Sequence, residues 1–102
     1  MRAGIATLIA IAGFIAAPAR AQVEDATIAS LSADLAAGRL TSVKAVTAYR
    51  ARIAAMDRKG PRLNSIITLN PDALAQARAL DAERRAGKSR GSLHGVPILL
   101  KD

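Results

Sequence analysis

Lys101 is the residue of this chain whose position best suits it to chemistry. It follows the run from Val96 to Leu100, the most apolar stretch after residue 21. An ordinary lysine has a pKa of about 10.4 and is therefore protonated at neutral pH. Burial in apolar surroundings disfavours the ammonium form and lowers that pKa, so a lysine at the inner end of a buried strand can act as a general base. Such a base needs a hydroxyl group to deprotonate, as in Ser–Lys arrangements.

The residues by themselves also allow Lys101 a role without chemistry. A lysine at a strand end can extend its ammonium group into water while its methylene groups cover apolar surface. It can also pair with the carboxylate of Asp102, which follows it. On physical grounds alone this plainer interpretation is favoured, because most lysines at strand ends take part in no reaction.

The composition excludes several other kinds of site. The chain has no cysteine and a single histidine, His94, which excludes disulfides, thiolate ligands and histidine-rich metal sites. We expect no cofactor and no metal ion. The formal net charge is +7, but the basic residues are scattered apart from one cluster at 83–90, and aromatic residues for stacking on bases are nearly absent. We therefore expect no nucleic-acid partner, and Arg84 and Arg85 in the cluster are predicted to be solvated.

Residues 1–21 are predicted to be a secretory signal peptide. Arg2 supplies the positive start, Ala3 to Ala17 form the apolar part, and an alanine-x-alanine sequence at 19–21 forms the cleavage site. The apolar part is shorter than the roughly 20 residues that span a bilayer, and an uncleaved membrane anchor is the alternative. We expect a mature chain that starts at Gln22, is periplasmic or secreted, and has no stable membrane insertion after cleavage.

Three helices are predicted in the mature chain. Apolar residues at helical spacing predict the first over 27–37, where Gly38 follows as a C-terminal glycine. The second begins at an N-cap of Thr41 or Ser42 and has about 15 residues, with an apolar face that starts at Val43 and Val46 and includes Tyr49. The third follows an N-cap and a proline at 70–71 and continues to residue 87, and its weak apolar stripe, mostly alanine, is expected to pack closely against a neighbour.

Two short strands are predicted between and after these helices. Residues 63–70 are short and β-branched, and residues 96–101 begin with an apolar run typical of a strand that is buried on both faces. Helices that alternate with strands indicate an α/β fold. Two strands are too few for a complete sheet, so residues 22–102 are interpreted as the opening part of a larger, here incomplete, domain.

Residues 70–102 carry a pattern that is found in one enzyme family. It joins Asn-Pro-x-Ala, a helix with Ala-x-x-x-Asp before a glycine, and a Gly-x-Leu-His-Gly-Val-Pro segment that leads to Lys-Asp. The matching residues are Asn70, Ala73, Ala77, Asp81, Gly87, Gly91, Leu93, His94, Gly95, Val96, Pro97, Lys101 and Asp102. By these residues the chain resembles the amidase signature family over roughly residues 27–102. Ser92 departs from the pattern, because the family usually has proline there.

The resemblance implies a fold, an activity and one catalytic residue. The fold would be a mixed central sheet flanked by helices, truncated here to its N-terminal helices and first strands. The activity would be hydrolysis of carboxamide C–N bonds in a small-molecule or peptide amide, through a Ser–cis-Ser–Lys triad in which Lys101 is the base. In the family both serines and the glycine-rich loop for the oxyanion lie further along the chain. Residues 1–102 alone are therefore expected to be inactive.

The other residues of the pattern are assigned roles outside the triad. The resemblance places His94 in a loop and outside the triad, and we expect it to form hydrogen bonds near the active site. Gly95 and Pro97 shape the turn into the last strand. Asp102 orients Lys101 or caps backbone groups.

Two other classes of function stay open on the sequence alone. One is a non-enzymatic exported helical or interaction module that ends at Asp102, and the other is a pseudoenzyme whose longer chain has lost the serines. An exported location argues against the family's cytoplasmic amidotransferase subunits, which act on charged tRNA. It favours peptide amides, aryl amides or other scavenged amides as substrates, and it leaves the oligomeric state open.

Overall fold

The structure is a computed structural model and describes residues 18–101. Its helices are α1 (Ala19–Val23), α2 (Ile28–Ala36), α3 (Ser42–Met56) and α4 (Ala73–Arg85). Helix α3 packs against both α1 and α4. The positive start and the apolar part of the predicted signal peptide lie outside the described residues, and so does Asp102.

Threonine side chains start α2 and α3. The hydroxyl of Thr27 accepts the N–H of Ser30, and the hydroxyl of Ser30 accepts the N–H of Thr27, which forms a reciprocal capping box. The hydroxyl of Thr41 accepts the N–H of Lys44 and caps α3. Of the two N-caps predicted for this helix, Thr41 is therefore the one observed, and the predicted length agrees with the 15 residues of α3.

Two helices end in a glycine that adopts a left-handed backbone. Gly38 has φ +74° after α2, and Gly87 has φ +75° after α4. The N–H of the residue after each glycine donates to a carbonyl five residues earlier, from Arg39 to Asp34 and from Lys88 to Glu83. These are Schellman motifs, which satisfy the last carbonyls of a helix. The glycine predicted at the end of the first helix is confirmed.

The turn before α4 differs from the prediction. The side chain of Asn70 accepts the N–H of Asp72, and its carbonyl accepts the N–H of Ala73. Asn70 therefore organises a turn, and Asp72 occupies the N-cap position of a helix that begins at Ala73. Pro71 belongs to the turn and is not the first helical residue.

A small apolar core lies between α1, α2 and the first half of α3. Its buried members are Val23, Leu31, Leu35, Leu40, Ala45 and Ala48. Tyr49 is half-buried against this core, as predicted, and its hydroxyl donates to the carbonyl of Val23 at 3.4 Å.

The face of α3 that is fully buried consists of small residues. Ser42, Ala45 and Ala48 are buried, whereas the predicted apolar face that starts at Val43 and Val46 is only half-buried. Small side chains let neighbouring helices approach α3 closely. On α4 the buried residues are Ala77 and Asp81, so the weak alanine stripe of that helix does pack against a neighbour, as expected.

Asp57 organises the loop that follows α3. Its Oδ1 accepts the N–H and the hydroxyl of Ser65 at 2.6 and 3.1 Å, and the N–H of Ile66 at 3.2 Å. The N–H of Ser65, above all, holds the pKa of the Asp57 carboxyl below its usual value against the opposing effect of burial. The start of the first predicted strand is thus held by a side chain.

Neither predicted strand is observed. Residues 63–70 and 96–101 are irregular, and none of the residues 18–101 belongs to a β-strand. A strand exists only when its backbone pairs with a neighbouring strand. Among the described residues, the backbone groups from Ile98 to Lys101 make no hydrogen bond. Of the predicted α/β fold, residues 18–101 therefore contain the helices. The sheet stays a prediction.

Candidate functional site

Lys101 lies at the end of an exposed segment. Its side chain is exposed, and so are those of Ile98, Leu99 and Leu100, at 74–87%. The prediction that this segment is a buried strand is not confirmed, because residues 18–101 contain no strand that could pair with it or cover it. The role of Lys101 as a base stays a prediction.

The loop from Gly91 to Val96, which leads to Lys101, is fixed to the helices at a buried ion pair. Asp81 and Arg84 lie one turn apart on α4, and Nη1 of Arg84 donates to Oδ1 of Asp81 at 2.8 Å. Asp81 is 4% exposed, and the Arg84 side chain is 19% exposed. Shielding from water makes such a pair sensitive to the loss of either partner.

Asp81 also caps the start of α3. Its Oδ1 accepts the N–H of Ser42 at 2.8 Å, and its Oδ2 accepts the N–H of Val43 at 3.1 Å. These are the first two residues of α3, whose N–H groups find no partner within the helix. Burial alone would raise the pKa of the Asp81 carboxyl. The two backbone donors and the Arg84 guanidinium outweigh it and hold the pKa below its usual value, so Asp81 is a carboxylate.

Arg84 extends this contact to the loop. Its Nη2 donates to the carbonyl oxygen of His94 at 2.9 Å and lies 3.4 Å from Oγ of Ser42. A guanidinium carries several donors in a rigid fork, so one side chain joins α3, α4 and the loop.

The prediction that Arg84 is solvated is therefore wrong, whereas Arg85 is exposed as predicted. One signal in the sequence pointed to Arg84. It lies three residues after Asp81, and residues at that spacing share a helix face.

His94 is held through both ring nitrogens. Nδ1 accepts the N–H of Arg90 at 3.0 Å, and Nε2 lies 2.8 Å from the carbonyl oxygen of Leu80. A carbonyl oxygen only accepts, so Nε2 carries the proton and the ring is the neutral Nε2–H tautomer. His94 is 8% exposed. It joins the loop to α4, in keeping with the hydrogen-bonding role predicted for it.

Gly95 packs directly over the start of α3. Its φ is +78°, and a Cβ at this position would collide with Oγ of Ser42 and with the Arg84 guanidinium. Both the backbone conformation and the close approach therefore require glycine. Any larger residue would push the loop away from the ion pair.

Two further contacts hold the first half of the loop. The hydroxyl of Ser32 on α2 donates to the carbonyl of Ser92. Arg90 donates to both carboxylate oxygens of Glu83, at 2.6 and 2.8 Å, and this guanidinium holds the pKa of Glu83 below its usual value. Since the contact at Ser92 uses the backbone carbonyl, the departure from proline at this position leaves it unaffected.

The pattern residues of the sequence thus separate into two groups. Asp81, His94 and Gly95 come together in one buried cluster with Arg84, whereas Lys101 lies apart from it on the exposed segment. Within residues 18–101, no three His, Asp or Glu side chains come together as a metal site would require. No helix in this part of the chain is both long enough and apolar enough to cross a membrane.

Gly95→Ala is expected to destabilise the fold more than Gly87→Ala. Gly87 has a similar φ of +75° but open space where a Cβ would lie, so its substitution costs only the left-handed conformation, about 1 kcal/mol. Gly95→Ala adds the displacement of Ser42 and Arg84, for a total of about 3 kcal/mol. Denaturant unfolding of both variants measures the difference. Equal costs would contradict the close packing at Gly95.

Asp81 is expected to make the stability depend on acid pH. Its pKa is lower in the folded state, so its contribution is complete above the unfolded value of 3.8 and is lost as the pH falls through the folded pKa. Asp81→Asn should lower the free energy of unfolding at pH 7 by about 3 kcal/mol, with a smaller difference in acid. Asp34→Asn, which breaks an exposed pair with Arg39, should cost about 0.5 kcal/mol. An Asp81→Asn deficit that is the same at pH 7 and at pH 2 would contradict the assignment.

Comparison with known proteins places this chain in a family. The sequence model of the amidase family matches residues 44–102, more than half of the chain. Over 77 residues, or 74% of its length, the chain is 43% identical to a glutamyl-tRNA(Gln) amidotransferase subunit from Streptomyces coelicolor and 49% identical to the corresponding protein from Azotobacter vinelandii. The X-ray structure of peptide amidase from Stenotrophomonas maltophilia is similar, with a TM-score of 0.70 and 52% identity over 72% of this chain.

The chain spans 15% of the length of each of these relatives. Within that span the family match includes Asp81, Arg84, His94 and Gly95, the residues that form the buried cluster, and it continues through Lys101. The chain belongs to the amidase family.

Proposed function

We propose that this chain is the N-terminal part of an amidase that hydrolyses the C–N bond of carboxamides. The observation that carries the proposal is the family match, which runs from residue 44 through Lys101 and Asp102. The buried cluster supports it, because the same pattern that contains the lysine also contains the residues that fix the loop leading to it. Residues 22–102 are assigned to this domain, and its sheet is completed by residues outside them.

Lys101 is the base in the proposed mechanism. Its neutral amine takes a proton from a serine held by a cis peptide, and that serine takes the proton of the nucleophilic serine. The nucleophile attacks the amide carbonyl carbon, the C–N bond breaks, the amine leaves with a proton, and water hydrolyses the acyl-enzyme. Backbone N–H groups stabilise the negative charge on the tetrahedral oxygen. Both serines and these N–H groups belong to residues outside 1–102.

The proposed substrates are peptide amides and other small amides. The support is the solved peptide amidase, which shares 52% identity with this chain, against 43% and 49% for the amidotransferase subunits compared above. The alternative to a peptide amidase is that the chain is part of a glutamyl-tRNA(Gln) amidotransferase subunit, as in those relatives. Release of ammonia from a peptide amide, measured without any other protein chain, distinguishes the two. We expect that amide hydrolysis by the proposed mechanism requires no cofactor.

Lys101→Met is expected to lower kcat for amide hydrolysis by about 10²–10⁴-fold in the full enzyme, because the variant loses the general base. Lys88→Met is the matched control, since Lys88 is an exposed lysine of the loop after α4, and its kcat should not change. Ammonia release measures both variants. Residues 22–102 alone should release no ammonia above the buffer rate. Wild-type kcat in Lys101→Met, or hydrolysis by residues 22–102 alone, would contradict the proposed triad.

We also propose that residues 1–21 direct export and are removed before Gln22. The support is the order of Arg2, an apolar stretch and the alanine-x-alanine sequence. N-terminal sequencing of the exported protein should begin at Gln22. Ala21→Leu should block cleavage because it replaces a small residue of the site, whereas Ala29→Leu, on the exposed side of α2, should leave cleavage unchanged. An exported protein that begins at Met1 would contradict this proposal.

A further inference from the structure

We propose that Arg84 is a positioning residue for amide hydrolysis. It fixes the loop from Gly91 to Val96 on the start of α3 and so sets where the segment that carries Lys101 begins. This inference rests on the proposed function, since it concerns the placement of the lysine base.

Arg84 and His94 are the two side chains that fix the second half of the loop on the helices. The His94 ring contacts the carbonyl of Leu80, whereas Arg84 contacts the loop backbone. Its Nη1 donates to Asp81, and its Nη2 donates to the carbonyl of His94. Gly95 follows immediately and packs against the same guanidinium. Loop, α3 and α4 therefore meet around one side chain that is 19% exposed.

Asp81 keeps partners of its own when Arg84 is removed. The N–H groups of Ser42 and Val43 both donate to its carboxylate, so the contact between α3 and α4 retains two hydrogen bonds. The carbonyl of His94, by contrast, makes no other hydrogen bond among the described residues. The contribution that belongs to Arg84 alone is thus its hydrogen bond to the backbone of the loop at His94, beside the separate contact of the His94 ring with Leu80.

A small rotation of the chain at the Arg84–His94 contact would produce a large displacement of Lys101, because the two are several residues apart. Lys101 follows Gly95 by six residues, which span at most about 20 Å of extended chain. A rotation of about 10° at Gly95 would move Lys101 by about 3 Å at that reach. Because a misplacement of about 1 Å can cost about 100-fold in rate, the anchor at His94 and Gly95 has a direct effect on the reaction.

Lysine cannot replace arginine in this role. An ammonium group is a compact charge, whereas the guanidinium donates from two nitrogens in fixed directions. Lysine at position 84 keeps a positive charge beside Asp81 but cannot also reach the carbonyl of His94 in the same geometry. Arg84→Lys is therefore expected to keep the ion pair with Asp81 and to lose the hydrogen bond to the loop, so its effect reports on the second interaction.

The test uses the full, active amidase and two matched pairs of variants. Arg84→Lys and Arg84→Met are compared with Arg85→Lys and Arg85→Met, since Arg85 is the exposed neighbour. We expect Arg84→Lys to keep the Tm within a few degrees, to lower kcat by about tenfold or more, and to leave KM within about twofold. Both Arg85 variants should keep the wild-type kcat. Added guanidinium ion should restore part of the kcat of Arg84→Met and nothing in Lys101→Met.

The outcomes separate this inference from the proposed function. Equal kcat in Arg84→Lys and Arg85→Lys, with Lys101→Met inactive, would overturn the role of Arg84 and leave the amidase proposal intact. Wild-type activity in Lys101→Met would overturn the amidase mechanism and this inference with it. If Arg84→Met does not fold, the kcat of Arg84→Lys decides the question. If neither variant folds, Arg84 is needed for stability and its positioning role is overturned.

Discussion

The partly buried ion pair between Asp81 and Arg84 is the interaction on which the arrangement of helices and loop depends. A buried carboxylate is costly unless several donors compensate for its lost hydration. Asp81 has these donors in the Arg84 guanidinium and in two N–H groups at the start of α3. The N–H groups of Ser42 and Val43 have no acceptor within α3. One cluster of hydrogen bonds therefore pairs the Asp81 carboxylate, the N-terminal N–H groups of α3 and the Arg84 guanidinium.

Two of the residues that pack against this pair are small, which lets the loop approach α3 closely. Ser42 at the start of α3 is buried, and Gly95 of the loop packs against its side chain and against the Arg84 guanidinium. A larger side chain at Gly95 would separate the loop from the ion pair. Close packing and the buried charge thus depend on each other, since only a tight fit excludes water from the pair.

Three residues of the amidase pattern position the loop: Asp81, His94 and Gly95 make structural contacts. Lys101 is the member to which the proposed mechanism assigns a chemical step. The apolar residues from Ile98 to Leu100 are exposed among residues 18–101. The described residues therefore fix the start of the segment that carries Lys101, but they do not enclose the lysine itself.

The sequence by itself determined the features that arise from neighbouring residues. The caps at Thr27 and Thr41 and the glycine at Gly38 act within one turn, so the bounds of α2 and α3 were predicted closely. The tertiary structure alone decided that Arg84 is not solvated. Arginine at a helix end is expected to extend into water, and Arg84 is half-buried only because α3 and the loop both approach it. The strands were not found for the same physical reason, since strand pairing joins residues that are distant in sequence and no local pattern supplies the partner.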